Sequence, residues 1–180
     1  MSSTGTTTDP QAPVTPGIES TIRTVYIVPS SHLDIGFTAP ADIVADDYKP
    51  QLDRALDHLD RIPDLVWNIE EVWMLEQWLS RTPDPATVDR LLAHIRAGRL
   101  GLLGGWATEH SALLDAAELA HFLYPAEELR RKYDLQIDTI LQNDVPGYSW
   151  TYPGLFTAAG YDYFLTGLNL FIGGGTSISR

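Results

Sequence analysis

Apolar residues fall along this chain in two alternating patterns. Short runs rich in β-branched and aromatic residues lie at 24–29 (TVYIVP), 64–67 (DLVW), 99–104 (RLGLLG), 139–142 (TILQ) and 162–167 (DYFLTG), and they read as five strands. Between them the apolar positions recur at helical spacing. Residues 48–60 put Leu52, Ala55, Leu56 and Leu59 on one face, and a second helix is expected over 71–79. The third has the fullest set of signals: Asp84 as N-cap, Pro85 in the first turn, a stripe of Val88, Leu91, Leu92 and Ile95, and Gly98 to close it. A helix over 115–133 is expected to break at Pro125, and a short one over 153–159 to end at Gly160. No internal repeat is evident. Alternating strands and helices predict an α/β fold with a parallel sheet and right-handed crossovers, either doubly wound or closed into a barrel.

The two ends depart from the alternation. Residues 1–22 are rich in Ser, Thr and Pro, with neither a basic stretch nor an apolar run. They are expected to be a disordered tail rather than a signal peptide, ahead of a single domain over 23–180. No stretch is apolar enough to span a bilayer, so a cytoplasmic protein is expected. The segment 171–180 (FIGGGTSISR) has no closing helix and reads as a cut through a domain.

Charge and composition narrow the chemistry. Twelve basic against 24 acidic residues give a net charge of −12 over 180 residues. Such a chain repels a phosphate backbone or an anionic membrane, so neither nucleic acid nor membrane is expected as partner. A neutral substrate or a bound cation suits it better. With no cysteine, thiolate metal sites, disulfides and cysteine nucleophiles are excluded, and any metal must be held by histidine and carboxylates.

In parallel α/β folds the functional groups collect beyond the carboxyl ends of the strands. Here those positions carry Ser30-Ser31-His32-Leu33-Asp34, then Asn68-Ile69-Glu70-Glu71, then Gly105-Trp106-Ala107-Thr108-Glu109-His110, and Asn143-Asp144. All four segments are expected on one face. His32 and Asp34 stand two residues apart, so in an extended segment both point the same way. Together with Asp144 they could ligate a cation; alternatively His32 is a loop histidine, Asp34 caps a turn, and Asp144 forms one with the Pro-Gly after it. Glu70 and Glu109 are further candidates, each with an alternative as a solvated or capping carboxylate. Trp106, beside a Gly-Gly pair, is the candidate sugar-stacking ring. Trp67, Trp73 and Trp78 read as core. His58, His94 and His121 read as helix-surface or packing residues, and His110 lies near the functional face.

These segments carry a family resemblance. The run 28–37 (VPSSHLDIGF) resembles the opening motif of glycoside hydrolase family 38, His-Ser-His-Asn-Asp-x-Gly-Trp. Trp67-Asn68-Ile69-Glu70 is similar to its Trp-Ser-x-Glu segment, and Gly98-Arg99-Leu100 with Gly104-Gly105-Trp106 to its Gly-Arg-Leu-Glu and Gly-Gly-Trp segments. The run 142–149 (QNDVPGYS) stands where the family has Asp-x-Phe-Gly-His-Ser. The four occur in the family's order. The resemblance implies an α/β barrel of the glycoside hydrolase/deacetylase type, of which only the first part is present, and one zinc ion. It implies His32, Asp34 and Asp144 as zinc ligands, with Asp144 also the nucleophile of a retaining reaction on α-mannosides or related α-glycosides. Phe37, Trp106 and Tyr148 are the implied substrate-binding aromatics, and a glycoside or oligosaccharide the implied partner. Three positions depart from the pattern: Ser30 replaces the first histidine, Phe37 the tryptophan, and Pro146-Gly147-Tyr148 the Phe-Gly-His. The family's last zinc histidine and its acid/base carboxylate lie further along than residue 180, so the 180-residue chain by itself is expected to be inactive. Two alternatives accompany this reading: a metal-dependent carbohydrate deacetylase, and a non-catalytic carbohydrate-binding fragment.

Overall fold

The computed structural model describes residues 21–168, apart from Pro83 and Pro146. The expected tail falls outside these residues except at 21 and 22, and the segment 171–180 falls outside them entirely. The elements alternate as the pattern requires: β1 (Ser30–Ser31), α1 (Ala41–Arg61), β2 (Trp67–Ile69), α2 (Val72–Ser80), α3 (Pro85–Arg96), β3 (Leu100–Leu102), α4 (Ala116–His121), α5 (Tyr124–Tyr133), β4 (Thr139–Val145), α6 (Tyr152–Ala158) and β5 (Tyr163–Leu168). A 3₁₀ turn, Ser111–Leu113, follows β3.

Among the described residues every strand pairing is parallel. β1, β2 and β3 form one small sheet in that order, and β4 pairs with β5 in another. A lone parallel bridge between Gly104 and Ile140 joins the two, with the Gly104 amide donating to the Thr139 carbonyl at 2.8 Å. The strands therefore follow one another in chain order, all in one direction. Among the described residues this is an α/β fold of two small sheets, and the closed barrel that the resemblance implies is not seen.

The helices begin and end where local chemistry allows. Asp84 caps α3 by accepting from the amides of Ala86 and Thr87, and Gly98 takes φ +68° beyond its end. The helix expected over 115–133 is two: α4 opens with a reciprocal Asp115/Glu118 capping box, and α5 restarts with Pro125 in its first turn. α1 begins seven residues before the expected 48, because Val44, Ala45 and Tyr48 extend its buried stripe past the acidic positions that hide the pattern. It runs through Pro50 without interruption. Tyr48, Leu52, Leu56 and Leu59 of α1 pack in one core with Ile69, Met74, Leu75, Trp78, Leu91, Leu100 and Ile140.

Two strands sit later in the chain than expected, and β2, at Trp67–Ile69, meets the expected 64–67 only at Trp67. Residues 24–29 form no ladder; β1 is Ser30–Ser31, and Val25, Tyr26, Ile27 and Val28 are 60–87% exposed. β1 is the edge of its sheet, and its partner β2 begins only at Trp67, so residues 24–28 have no strand opposite them. Past them, hydrogen bonds run from the Asn68 amide and side chain to the Pro29 carbonyl.

Candidate metal centre

Parallel register sets the first contacts of the site. Ser31 stands opposite Ile69, so the next residues, His32 and Glu70, leave β1 and β2 side by side. Glu70 is buried, and its carboxyl holds two partners: Ser30 Oγ donates to Oε1 at 2.5 Å, and His32 Nδ1 lies 3.0 Å from Oε2. The other ring nitrogen, Nε2, faces Asp34 Oδ1 at 3.8 Å and Asp144 Oδ2 at 3.6 Å. His32, Asp34 and Asp144 each offer one ligand atom, all within 4.8 Å of one another. The hydrogen bond to Glu70 raises the His32 pKa; partial burial opposes it, and the charges of Glu70, Asp34 and Glu71 add to it.

Asp144 reaches the cluster through an irregularity. β4 and β5 keep register to Asn143↔Gly167, then slip to Val145↔Leu168, leaving Asp144 out of the ladder. Its φ is +59°, the left-handed region that non-glycine residues seldom occupy outside Asp and Asn. The bulge thus re-aims one carboxylate out of a strand and toward His32. Its side chain and that of Asp34 remain about 40% accessible (42% and 41%), open to a ligand.

The cluster lines a cavity of about 390 Å³. Phe37 and Trp106, 86% and 40% exposed, are aromatic walls, and the buried Trp73, expected only as core, lines the cavity too. Trp106 Nε1 donates to Glu76 Oε2 at 3.0 Å, which fixes the ring's orientation. Glu109 and His110 line the cavity as well, and burial raises the Glu109 pKa. The fully buried Gln142 braces this wall, accepting from the Glu109 amide and donating to the Ala107 carbonyl. Tyr148 is placed elsewhere. Its hydroxyl lies 2.7 Å from the carbonyls of both Gln142 and Gly167, and its ring packs edge-on against Phe164, outside the cavity lining.

Among the residues expected to be structural, Trp73 and Trp78 are buried and Trp67 packs against the core. His94 pairs with Asp60 at 2.7 Å on the helical surface.

A further carboxyl, with no role expected from its position in the chain, stands out. Glu71 is buried in the cavity wall, hydrogen-bonded to Thr108 Oγ1 through Oε1, with Oε2 buried and unpartnered. Burial pushes its pKa up to about 7, against the smaller opposing effect of the Thr108 hydrogen bond. It is therefore protonated, and able to donate, at mildly acidic pH. The one available signal was its place directly after a strand, shared with Glu70; nothing in the sequence says which of two adjacent carboxyls faces the cavity.

The donor set decides what the cluster can hold. One imidazole nitrogen and two carboxylate oxygens suit zinc or a harder divalent ion. Glu70 beside them makes the surroundings still more anionic, which favours a cation. Among the described residues no helix is long and apolar enough to cross a membrane.

Residues 23–168 match the glycosyl hydrolases family 38 N-terminal domain. No curated protein matches the chain at a significant level. Among solved structures, similar chains include an alpha-mannosidase from Enterococcus faecalis V583 (TM-score 0.66, 14% identity) and a glycosyl hydrolase family 38 protein from Enterococcus faecalis (TM-score 0.64, 15% identity). In each case the match covers 77% of this chain and 16% of the other. A 4-alpha-glucanotransferase from Thermococcus litoralis is similar over 68% of this chain and 20% of its own (TM-score 0.56, 16% identity). At these identities the likeness speaks for the fold alone.

Proposed function

The chain belongs to glycosyl hydrolase family 38, within its N-terminal domain, and from that premise we propose that it supplies the metal-holding part of a retaining α-mannosidase-type active site. The observation that carries this reading is the convergence of His32, Asp34 and Asp144 on one point of a cavity walled by Phe37 and Trp106. The five parallel strands in chain order support a barrel begun by this domain, over 23–180, and completed by further chain.

His32, Asp34 and Asp144 would hold the zinc. Bound there, the ion supplies positive charge that keeps a carboxylate ionised and can engage sugar hydroxyls. Asp144 is the nucleophile. Its bulged backbone turns the carboxylate toward the opening, where it attacks the anomeric carbon as the bond to the leaving oxygen breaks. Water then attacks the same carbon, releases Asp144 as carboxylate and restores the anomeric configuration. In the family pattern, protonation of the leaving oxygen falls to a separate carboxyl group further along the chain than Asp144. Glu70 has both oxygens engaged and is not free for that role. Phe37 and Trp106 offer apolar faces to the sugar ring.

The test is hydrolysis of an aryl α-mannoside by the whole protein. Turnover abolished in Asp144→Asn, with a 2-fluoro glycoside trapped covalently on Asp144, is the expected result. No turnover of any α-glycoside across a broad panel refutes it. Release of acetate from an acetylated sugar without a trapped adduct transfers the site to the deacetylase reading, and sugar binding without turnover transfers it to the carbohydrate-binding one.

A further inference from the structure

We infer that Glu70 is a positioning residue: held by Ser30, it fixes His32 in the tautomer whose Nε2 lone pair faces Asp34 and Asp144. The inference rests on the metal-holding reading of that cluster, and it concerns how the protein prepares the cluster beforehand.

The argument starts from inventory. A carboxylate only accepts hydrogen bonds, and a neutral imidazole has one donor and one acceptor nitrogen. With Nδ1 3.0 Å from Glu70 Oε2, the proton belongs on Nδ1. Nε2 is then left with its lone pair, 3.8 Å from Asp34 Oδ1 and 3.6 Å from Asp144 Oδ2. The opposite tautomer would set a lone pair against the Glu70 oxygen and spend the donating N–H on the cluster.

Glu70 is fit to impose this choice because it is itself fixed. It is 5% exposed, follows β2 directly, and receives the Ser30 hydroxyl on its second oxygen. Ser30 belongs to β1 and His32 directly follows that strand, so one short segment supplies both partners of the carboxyl. The parallel β1–β2 register delivers the third group opposite them. An imidazole held from behind by a buried carboxylate presents a preset ligand atom, and loss of such a partner typically weakens metal binding by about 10–100-fold.

Two readouts on the full 180-residue chain test it. Long-range proton–nitrogen NMR of assigned His32, in chelator-treated protein near about pH 8.5 where histidine is ordinarily neutral, reports the tautomer. Zinc affinity comes from competition with a chromophoric chelator. Wild type is expected to carry the proton on Nδ1. Glu70→Met, close in volume but without a strong acceptor, should mix the tautomers and raise the zinc dissociation constant about 10–100-fold. Glu70→Gln, whose carbonyl can still accept, should restore both to within a few-fold of wild type. A wild-type proton on Nε2 overturns the inference even if no variant folds, as does an unchanged tautomer and zinc affinity in folded Glu70→Met. If wild type and His32→Ala bind zinc equally poorly, the metal-holding reading fails. The tautomer shift in Glu70→Met then still decides whether Glu70 orients the ring.

Discussion

Glu71 should make the fold less stable as the pH rises toward neutrality, and Glu71→Gln should remove that loss. The carboxyl's ordinary value near 4.5 is raised to about 7 in the folded chain, with burial as the leading cause. Between those two values the unfolded chain releases a proton that the folded chain retains. The unfolded state thus binds fewer protons, and stability falls with rising pH. The contribution is fully present below about pH 4.5 and is lost as the pH passes about 7. A difference of about 2.5 pKa units corresponds to about 3 kcal/mol, at 1.36 kcal/mol per unit. Gln keeps the shape and the Thr108 contact but has no charge to bury. Urea denaturation of wild type and Glu71→Gln, both stripped of metal with chelator, should give similar stabilities near about pH 4.5. By about pH 8 the variant should be ahead by about 3 kcal/mol, with groups common to both cancelling in the difference. Parallel stability curves across that window would refute the assignment of a buried, neutral Glu71.

Two further substitutions separate shape from chemistry. Asp144→Gly should be at least as stable as wild type, because glycine accepts φ +59° without a side-chain cost. It should at the same time lose zinc binding, measured by chelator competition; a clear drop in stability would contradict the strain argument. Gly104→Ala would drive a methyl group into the Tyr161 ring at the residue that bridges the two sheets, and it should cost about 1–3 kcal/mol by denaturant titration. Full stability in that variant would show that the ring can move aside.

The sequence carried the site's ingredients further than its geometry. Five strands, and the polar residues beyond them, were legible because buried parallel strands are uniformly apolar and leave polar chemistry to their ends. The α3 caps and the break at Pro125 followed from single residues with fixed backbone preferences. What escaped depended on contacts far apart in the chain. Ser30 looked only like a missing histidine until the register set it beside Glu70. The left-handed turn at Asp144 comes from a slip against β5, which no local pattern in 139–145 announces. Tyr148 sits at the right place in the motif, yet backbone carbonyls and an aromatic cluster hold it away from the cavity. Residues 24–28 have the composition of a central strand, but pairing needs a neighbour opposite, and β2 begins only at Trp67.

The lone bridge between the two sheets gives the His32, Asp34 and Asp144 cluster a second meaning, as a seam. Two of its members follow β1 in one sheet, and the third lies on β4 in the other. Any ion gripping all three ties together points roughly 110 residues apart in the chain. A covalent link across a loop of that length would withdraw about 4–5 kcal/mol of entropy from the unfolded ensemble in the chain-entropy picture. A coordinate link acts in the same sense, and its binding free energy enters the folding free energy directly. Metal occupancy would then add directly to the stability of this domain. A thermal midpoint that climbs with added zinc in wild type, but stays level in Asp144→Gly, would be its signature.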